Sequence, residues 1–132
     1  MVNLENEQVI AKGENSSFIS VQTIRHSVMN CIDNFSKLKP KDENQLKTTK
    51  DNYLLYGLTM ICIYEPCLMC AMALVHSRLK NLVFFKNNEF EDSPFSKSDI
   101  DFLKLNLNHK YSVYVYDEST KDLNNILNLN DK

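Results

Sequence analysis

Apolar residues along the amino-terminal part of the chain follow the spacing of an amphipathic helix. They recur every 3.6 residues within 23–38, at Ile24, Val28, Cys31, Ile32, Phe35 and Leu38. Thr23 is a suitable residue to cap such a helix, because its hydroxyl can accept a hydrogen bond from a free backbone N–H. We therefore predict a helix over 23–38 with His26 in its first turn. Ahead of this helix, the pattern predicts a strand over 7–12 and a turn over 13–16.

A second helix is predicted directly after a short apolar strand. Residues 57–64 are rich in apolar and β-forming side chains, which suits a strand covered on both faces. Pro66 follows, and proline is tolerated in the first turn of a helix. Helical spacing then continues at Leu68, Met69, Met72, Ala73, Val75 and Leu79. The pattern therefore places Cys67 and Cys70 at the amino end of a helix.

The rest of the chain continues to alternate between strands and helices. Strands are predicted over 81–85 and 111–116, and helices over 98–105 and 119–127, the first opened by a capping box of Ser98 and Asp101. The order after residue 23 requires right-handed crossovers and at least one parallel pair of strands. We therefore predict an α/β fold, a three-layer α/β/α sandwich. The lysine-rich stretch 36–52 is predicted to be a solvated loop, with an RNA-facing patch as the alternative.

The length and the net charge of the chain exclude few classes of protein. A chain of 132 residues is the size of one domain, and its net charge of −2 gives no overall attraction to nucleic acid or anionic membrane. The acidic amino terminus lacks the features of a secretory signal, and no run of about 20 apolar residues is available to span a bilayer. We expect an intracellular protein of the cytoplasm, the nucleus or both.

The cysteines carry the first chemical signal. Cys67 and Cys70 form a Cys-x-x-Cys pair, which occurs in redox motifs, zinc ribbons and several enzymes. A helix amino end favours thiolate, and no second pair exists to complete a ribbon, so we favour a zinc site. Cys31 and Cys62 lie in apolar stretches and are interpreted as core residues, with an additional metal ligand as the alternative.

Histidine is scarce and supplies the third candidate ligand. Of His26, His76 and His109, only His26 is predicted to lie at a helix amino end, on the edge of the sheet where Cys67 and Cys70 are expected. Three protein ligands with one open position is the arrangement of catalytic zinc. His76, with Arg78, is expected to complement a helix end, and His109 to belong to a turn.

The candidate ligands lie within a longer motif. His26-Ser27-Val28 followed by Pro66-Cys67-Leu68-Met69-Cys70 resembles the zinc deaminase signature H-x-E with P-C-x-x-C. In that chemistry the glutamate moves a proton, which typically contributes on the order of 10² to 10⁴ in rate. Val28 occupies this position and has no ionisable group, so we predict that the chain has no catalytic residue. Zinc would still stabilise the fold.

The run from Tyr64 to Arg78, together with His26-Ser27-Val28-Met29, is similar to the non-catalytic subunit of eukaryotic tRNA-specific adenosine deaminase, in the cytidine deaminase-like superfamily. The resemblance implies a catalytically silent, zinc-binding subunit of a heterodimer that forms inosine at the wobble position of tRNA. It implies His26, Cys67 and Cys70 as ligands of Zn²⁺, a catalytic partner subunit with an intact H-x-E motif, and tRNA bound through the complex.

The resemblance also implies a cytidine deaminase-like sandwich. Residues 1–132 are expected to form a single zinc-binding domain of this type, with almost no room for the first helix and strand of the family. Two other functions remain open. Glu65, next to the zinc cysteines, could replace the missing proton shuttle in an active cytidine or adenosine deaminase. Alternatively, the chain is a zinc-stabilised interaction module without a role in tRNA.

Overall fold

The computed structural model describes residues 1–18, 24–38, 54–86, 93–96, 102–116 and 126–128. Its helices are α1 (Ser27–Ser36) and α2 (Leu68–His76), with one 3₁₀ turn at Phe102–Lys104. Its strands are β1 (Val2–Asn3), β2 (Gln8–Val9), β3 (Thr59–Tyr64), β4 (Asn81–Lys86), β5 (Ser112–Tyr116) and β6 (Ile126–Asn128). None of the described helices is both long enough and apolar enough to cross a membrane.

The strands form one mixed sheet in the order β2-β1-β3-β4-β5-β6. The central strands β3, β4 and β5 are parallel, with Ile61 opposite Val83 and Val83 opposite Tyr114. The hairpin β1–β2 and the strand β6 pair antiparallel at the two sides. The parallel pairs and the connecting helix α2 confirm the predicted α/β fold.

Both helices pack against the same face of the sheet. Cys31 of α1 and Cys70 of α2 both lie close to Cys62 of β3. Leu82, Phe84 and Val113 are completely buried, as are Ala71, Leu74 and Leu79. The amino ends of α1 and α2 are thereby brought to the carboxyl end of β3, where the candidate ligands were expected.

The second half of β3 is less covered than predicted. Ile61 is 43% exposed and Ile63 is 67% exposed, although Thr59 and Met60 are buried. The prediction of a strand covered on both faces is therefore wrong for this half, because the described helices pack only on the face of Met60 and Cys62. The remaining strand face carries Ile61 and Ile63, which apolar patterning alone does not distinguish from a buried face.

Several predicted boundaries also shift. Helix α1 begins at Ser27 because His26 is extended, with φ −69° and ψ 158°, and Thr23 lies outside the described residues. The strand predicted over 7–12 is limited to Gln8–Val9, where its partner β1 offers two residues. Of the helix predicted over 98–105, the described part is the 3₁₀ turn at Phe102–Lys104, and the Ser98–Asp101 capping box lies outside.

The end of the last predicted helix is a strand. Residues 117–125 lie outside the described residues, but Ile126–Asn128 pairs antiparallel with β5, with Leu127 opposite Val115. Pairing with β5 satisfies the backbone N–H and C=O groups of this segment. The spacing of apolar residues, on which the helix was predicted, does not report such pairing with a distant strand. The predicted loop 36–52 lies mostly outside the described residues, so both of its interpretations stay predictions.

Candidate metal centre

Three potential ligand side chains converge between the amino ends of α1 and α2. His26 Nδ1 lies 3.4 Å from Cys67 Sγ and 3.7 Å from Cys70 Sγ. The ligand atoms of all three residues lie within 4.8 Å of one another. The structure therefore brings together the three residues that the sequence predicts as a metal site.

The helix ends explain why these side chains face each other. His26 and Cys67 are the N-cap residues of α1 and α2, and both have extended backbones. Neither side chain caps its own helix, so each is available for contacts across the gap. Cys70, in the first turn of α2, is 2% exposed, and Pro66 precedes the N-cap.

The spacing of the three atoms fits zinc. Zinc lies about 2.0–2.1 Å from an imidazole nitrogen and about 2.3 Å from a thiolate sulfur, with tetrahedral angles. These values separate a nitrogen and a sulfur by roughly 3.6 Å. The observed separations of 3.4 and 3.7 Å lie on either side of this value. One imidazole and two thiols also form the donor set that suits zinc.

The pKa values of the Cys67 and Cys70 thiols are shifted in opposite directions. The hydrogen bond from Cys70, assisted by His26, lowers the pKa of Cys67 to about 5 despite partial burial. The pKa of Cys70 is raised, because this thiol keeps its proton to donate to Cys67 and because burial disfavours its charge. Cys67 is therefore the thiol that more readily supplies the deprotonated ligand that zinc binding requires.

The loop at 11–16 is fastened to α1 beside this centre. The Asn30 amide donates to the carbonyl oxygen of Glu14 at 2.7 Å and to Ser16 Oγ at 2.9 Å. Gly13 lies so close to α1 that a Cβ atom built on it would be 2.2 Å from the carbonyl oxygen of Ser27. This glycine therefore permits an approach that no other residue allows.

A cavity of about 1020 Å³ opens beside the three candidate ligands. Val28, on its wall, is 3% exposed and lies two positions after His26. Among the lining residues, the carboxylates are Glu14 and Glu65. The sequence pattern did not identify Glu14 as a residue of this cavity and assigned it only to a turn. The local signal was the neighbouring Gly13, which allows this loop to lie close to α1.

Glu65 is engaged with a distant segment of the chain. One carboxylate oxygen accepts hydrogen bonds from the backbone N–H groups of Phe95, at 2.7 Å, and Ser96, at 3.1 Å. The other accepts from the Ser96 hydroxyl. The side chain is 2% exposed. Glu65 thus holds the described segment 93–96 against the carboxyl end of β3.

The other two histidines lie away from this centre. His109 Nε2 is 2.6 Å from the carbonyl oxygen of Leu79, and the Arg78 guanidinium donates to the carbonyl oxygen of Asn108 at 3.0 Å. His76 is exposed in the last turn of α2. These contacts join the two loops at the opposite end of the sheet and agree with the structural roles expected for these residues.

Known proteins are similar to this chain in sequence. Residues 1–86 match the family described as the cytidine and deoxycytidylate deaminase zinc-binding region. The tRNA-specific adenosine deaminase subunit tad3 of Schizosaccharomyces pombe is 36% identical over 92 residues, covering 69% of this chain and 29% of the relative. A Danio rerio protein named "Probable inactive tRNA-specific adenosine deaminase-like protein 3" is 32% identical over 131 residues, covering 86% of this chain and 38% of the relative.

A bacterial relative extends the comparison. The tRNA-specific adenosine deaminase of Buchnera aphidicola is 35% identical over 79 residues, covering 60% of this chain and 42% of the relative. The chain therefore spans less than half the length of each of these relatives. The family match, covering well over half of the chain, includes all three candidate ligands. This chain belongs to the cytidine and deoxycytidylate deaminase zinc-binding family.

Proposed function

We propose that this chain is a catalytically silent, zinc-binding subunit of a heterodimeric tRNA adenosine deaminase that forms inosine at the wobble position. The observation that carries the proposal is the pairing of a complete ligand group, His26 with Cys67 and Cys70, with a buried Val28. Val28 stands where the deaminase signature has its proton-transferring glutamate.

The chain's own residues support binding of the metal but no turnover. When bound in an active deaminase site, zinc would act as a Lewis acid. In a site without turnover, zinc would cross-link the amino ends of two helices. His26, Cys67 and Cys70 would hold it. Val28 neither accepts nor donates a proton, so hydrolysis lacks the group that must carry a proton to the leaving amine.

The rival function, an active deaminase that uses Glu65, receives less support from the contacts of this residue. Both carboxylate oxygens already accept hydrogen bonds from Phe95 and Ser96, which favours a structural role. A proton shuttle needs an oxygen within hydrogen-bond reach of the substrate. Glu14 is exposed, and its backbone, rather than its carboxylate, is held by Asn30.

The names of the relatives support the subunit role. One is called a deaminase subunit and another an inactive deaminase-like protein. We further propose that the partner is a catalytic deaminase subunit with an intact H-x-E motif, that tRNA is bound through the complex, and that the complex is intracellular.

Co-purification with a glutamate-bearing deaminase subunit, combined with zinc quantitation, tests the proposal. We expect a stable complex that contains two zinc ions, one bound by each chain. The Cys67→Ser/Cys70→Ser double variant should lose one zinc. If the purified complex binds no tRNA, the alternative that this chain is a zinc-stabilised interaction module without a role in tRNA would be favoured. Failure of the two subunits to co-purify would contradict the proposal, and so would an unchanged zinc content in the double variant.

A further inference from the structure

Hydrogen bonds from a later part of the chain anchor the backbone on both sides of the two cysteine ligands. Glu65 lies two positions before Cys67, and its carboxylate accepts hydrogen bonds from a segment 30 positions later. Ala71 directly follows Cys70, and its carbonyl oxygen accepts a hydrogen bond from the Tyr111 hydroxyl at 3.1 Å. Glu65 is 2% exposed and Tyr111 is 4% exposed, so both anchors are shielded from water.

The two anchors are connected by packed aromatic rings. The ring of Phe95, whose backbone N–H donates to Glu65, lies 5.2 Å from the ring of Phe102. The ring of Phe102 in turn lies 6.3 Å from that of Tyr111. Phe84 of β4 supports this row by stacking on Phe95 at 6.0 Å. We call Phe95, Phe102 and Tyr111 the aromatic brace, because it joins the group that binds Glu65 to the hydroxyl that binds α2.

The anchored stretch determines how the two cysteine side chains are placed. Cys67 has an extended backbone, and Cys70 lies in the first turn of α2. This turn is closed by the backbone N–H of Ala71, which donates to the carbonyl oxygen of Cys67 at 2.9 Å. Ala71 is thus bonded to Cys67 through its N–H and to Tyr111 through its carbonyl oxygen. Movement of the brace would therefore be transmitted to the turn that carries both thiols.

We propose that Glu65 and Tyr111 are positioning residues for the zinc ligands Cys67 and Cys70. Neither belongs to the group of converging ligand atoms, and both act on the ligands through the backbone of α2 and the residues before it. Outer groups that orient metal ligands typically change metal affinity by about 10- to 100-fold when they are removed. The inference rests on the zinc binding in the proposed function, and it adds a contribution of the aromatic brace to metal affinity.

The test is a cobalt titration of the purified, metal-free full chain. Tetrahedral Co²⁺ bound by thiolates absorbs strongly in the visible and near-ultraviolet, and its displacement by Zn²⁺ gives the zinc affinity. Tyr111→Phe removes only the hydroxyl that binds α2, whereas Glu65→Ala removes the acceptor of the segment 93–96. Glu65→Gln is the conservative variant, because its amide oxygen can accept from the same N–H groups. Urea unfolding of each variant reports its stability.

Thr59→Val is the matched control for the loss of a buried hydroxyl. Thr59 is 2% exposed, and its hydroxyl accepts a hydrogen bond from the Asn81 amide at 3.1 Å. Thr59 begins β3 and Glu65 directly follows the last residue of this strand, which separates them by roughly 20 Å. This variant therefore loses a comparable bond, but far from the ligands.

We expect Tyr111→Phe and Glu65→Ala to bind zinc about 10- to 100-fold more weakly than wild type, with weaker thiolate–cobalt absorption. Glu65→Gln should bind nearly as wild type does. Thr59→Val should lose stability but keep both the zinc affinity and the cobalt spectrum. If Glu65→Ala does not fold, the comparison of Tyr111→Phe with Thr59→Val decides alone.

Two results would overturn the positioning role while leaving the zinc site in place. One is wild-type zinc affinity in a folded Tyr111→Phe or Glu65→Ala variant. The other is an equal loss of affinity in Tyr111→Phe and Thr59→Val, which would show that affinity follows stability alone. A wild-type chain that binds neither cobalt nor zinc would contradict the metal site itself, and with it both the proposed function and this inference.

Discussion

His26 Nδ1 and Cys67 Sγ lie 3.4 Å apart although the two residues are separated by 41 positions in the chain. Each is the N-cap of its helix, so the contact joins the amino ends of α1 and α2. A metal ion bound there would cross-link α1 and α2, which also contact each other. Binding of zinc and stability of the domain should therefore be coupled.

Removal of one ligand should weaken both zinc binding and folding. In Cys70→Ser, the hydroxyl replaces a buried thiol that lies 3.7 Å from His26 Nδ1. We expect zinc affinity to fall by more than the roughly 10- to 100-fold typical of losing an outer partner of a ligand. A competitive chelator titration measures this loss. Cys31→Ser, in the core rather than in the ligand group, should keep its zinc; equal losses in both variants would argue against the assignment.

The metal-free chain should hold one thiolate at neutral pH. Because the pKa of Cys67 is lowered from 9.0 to about 5, its stabilising contribution is fully present above pH 9 and is lost as the pH falls through 5. Thiolate absorbance near 240 nm, followed against pH, checks this expectation. In Cys70→Ala the transition should move to higher pH, since the main hydrogen bond to Cys67 is gone. An unshifted transition in this variant would show that Cys70 does not cause the low pKa of Cys67.

Gly13→Ala should destabilise the domain through a backbone clash. The added Cβ would lie 2.2 Å from the Ser27 carbonyl oxygen and 2.3 Å from the Cys31 backbone nitrogen, atoms that cannot move without shifting α1. We expect a loss of about 2–3 kcal/mol in the free energy of unfolding, measured with urea. Gly57→Ala is the control, because its φ is +75° with nothing within 4 Å, and it should cost about 1 kcal/mol. An equal or smaller cost at Gly13 would contradict the close approach of this loop to α1.

Val28→Glu should not restore turnover in the chain alone. Val28 is 3% exposed, so burial would penalise the charge of the new carboxylate. We expect no inosine and a loss of about 1–3 kcal/mol in stability. Val28→Gln, similar in size and uncharged, separates the effect of charge from that of volume. Measurable inosine from Val28→Glu alone would show that the missing carboxylate is the only defect.

The sequence allowed the metal centre to be predicted because its signals are local. Helical spacing and Pro66 place Cys67 and Cys70 at a helix amino end, and the parallel topology brings His26 to the same edge. Other features depend on contacts between distant segments. The pairing of Leu127 with Val115, and the bonds from Phe95 to Glu65 across 30 positions, leave no periodic pattern in the chain. The exposure of Ile63 likewise depends on which strand face the helices cover.

Single-turnover deamination by the purified, zinc-loaded chain alone tests the central claim most directly. With the chain in excess over an unmodified tRNA transcript, we predict no inosine above background from wild type or from Glu65→Ala. Addition of a partner subunit with an intact H-x-E motif should produce it. Inosine formed by the wild-type chain alone, and lost in Glu65→Ala, would contradict the silent-subunit role and identify Glu65 as the proton shuttle.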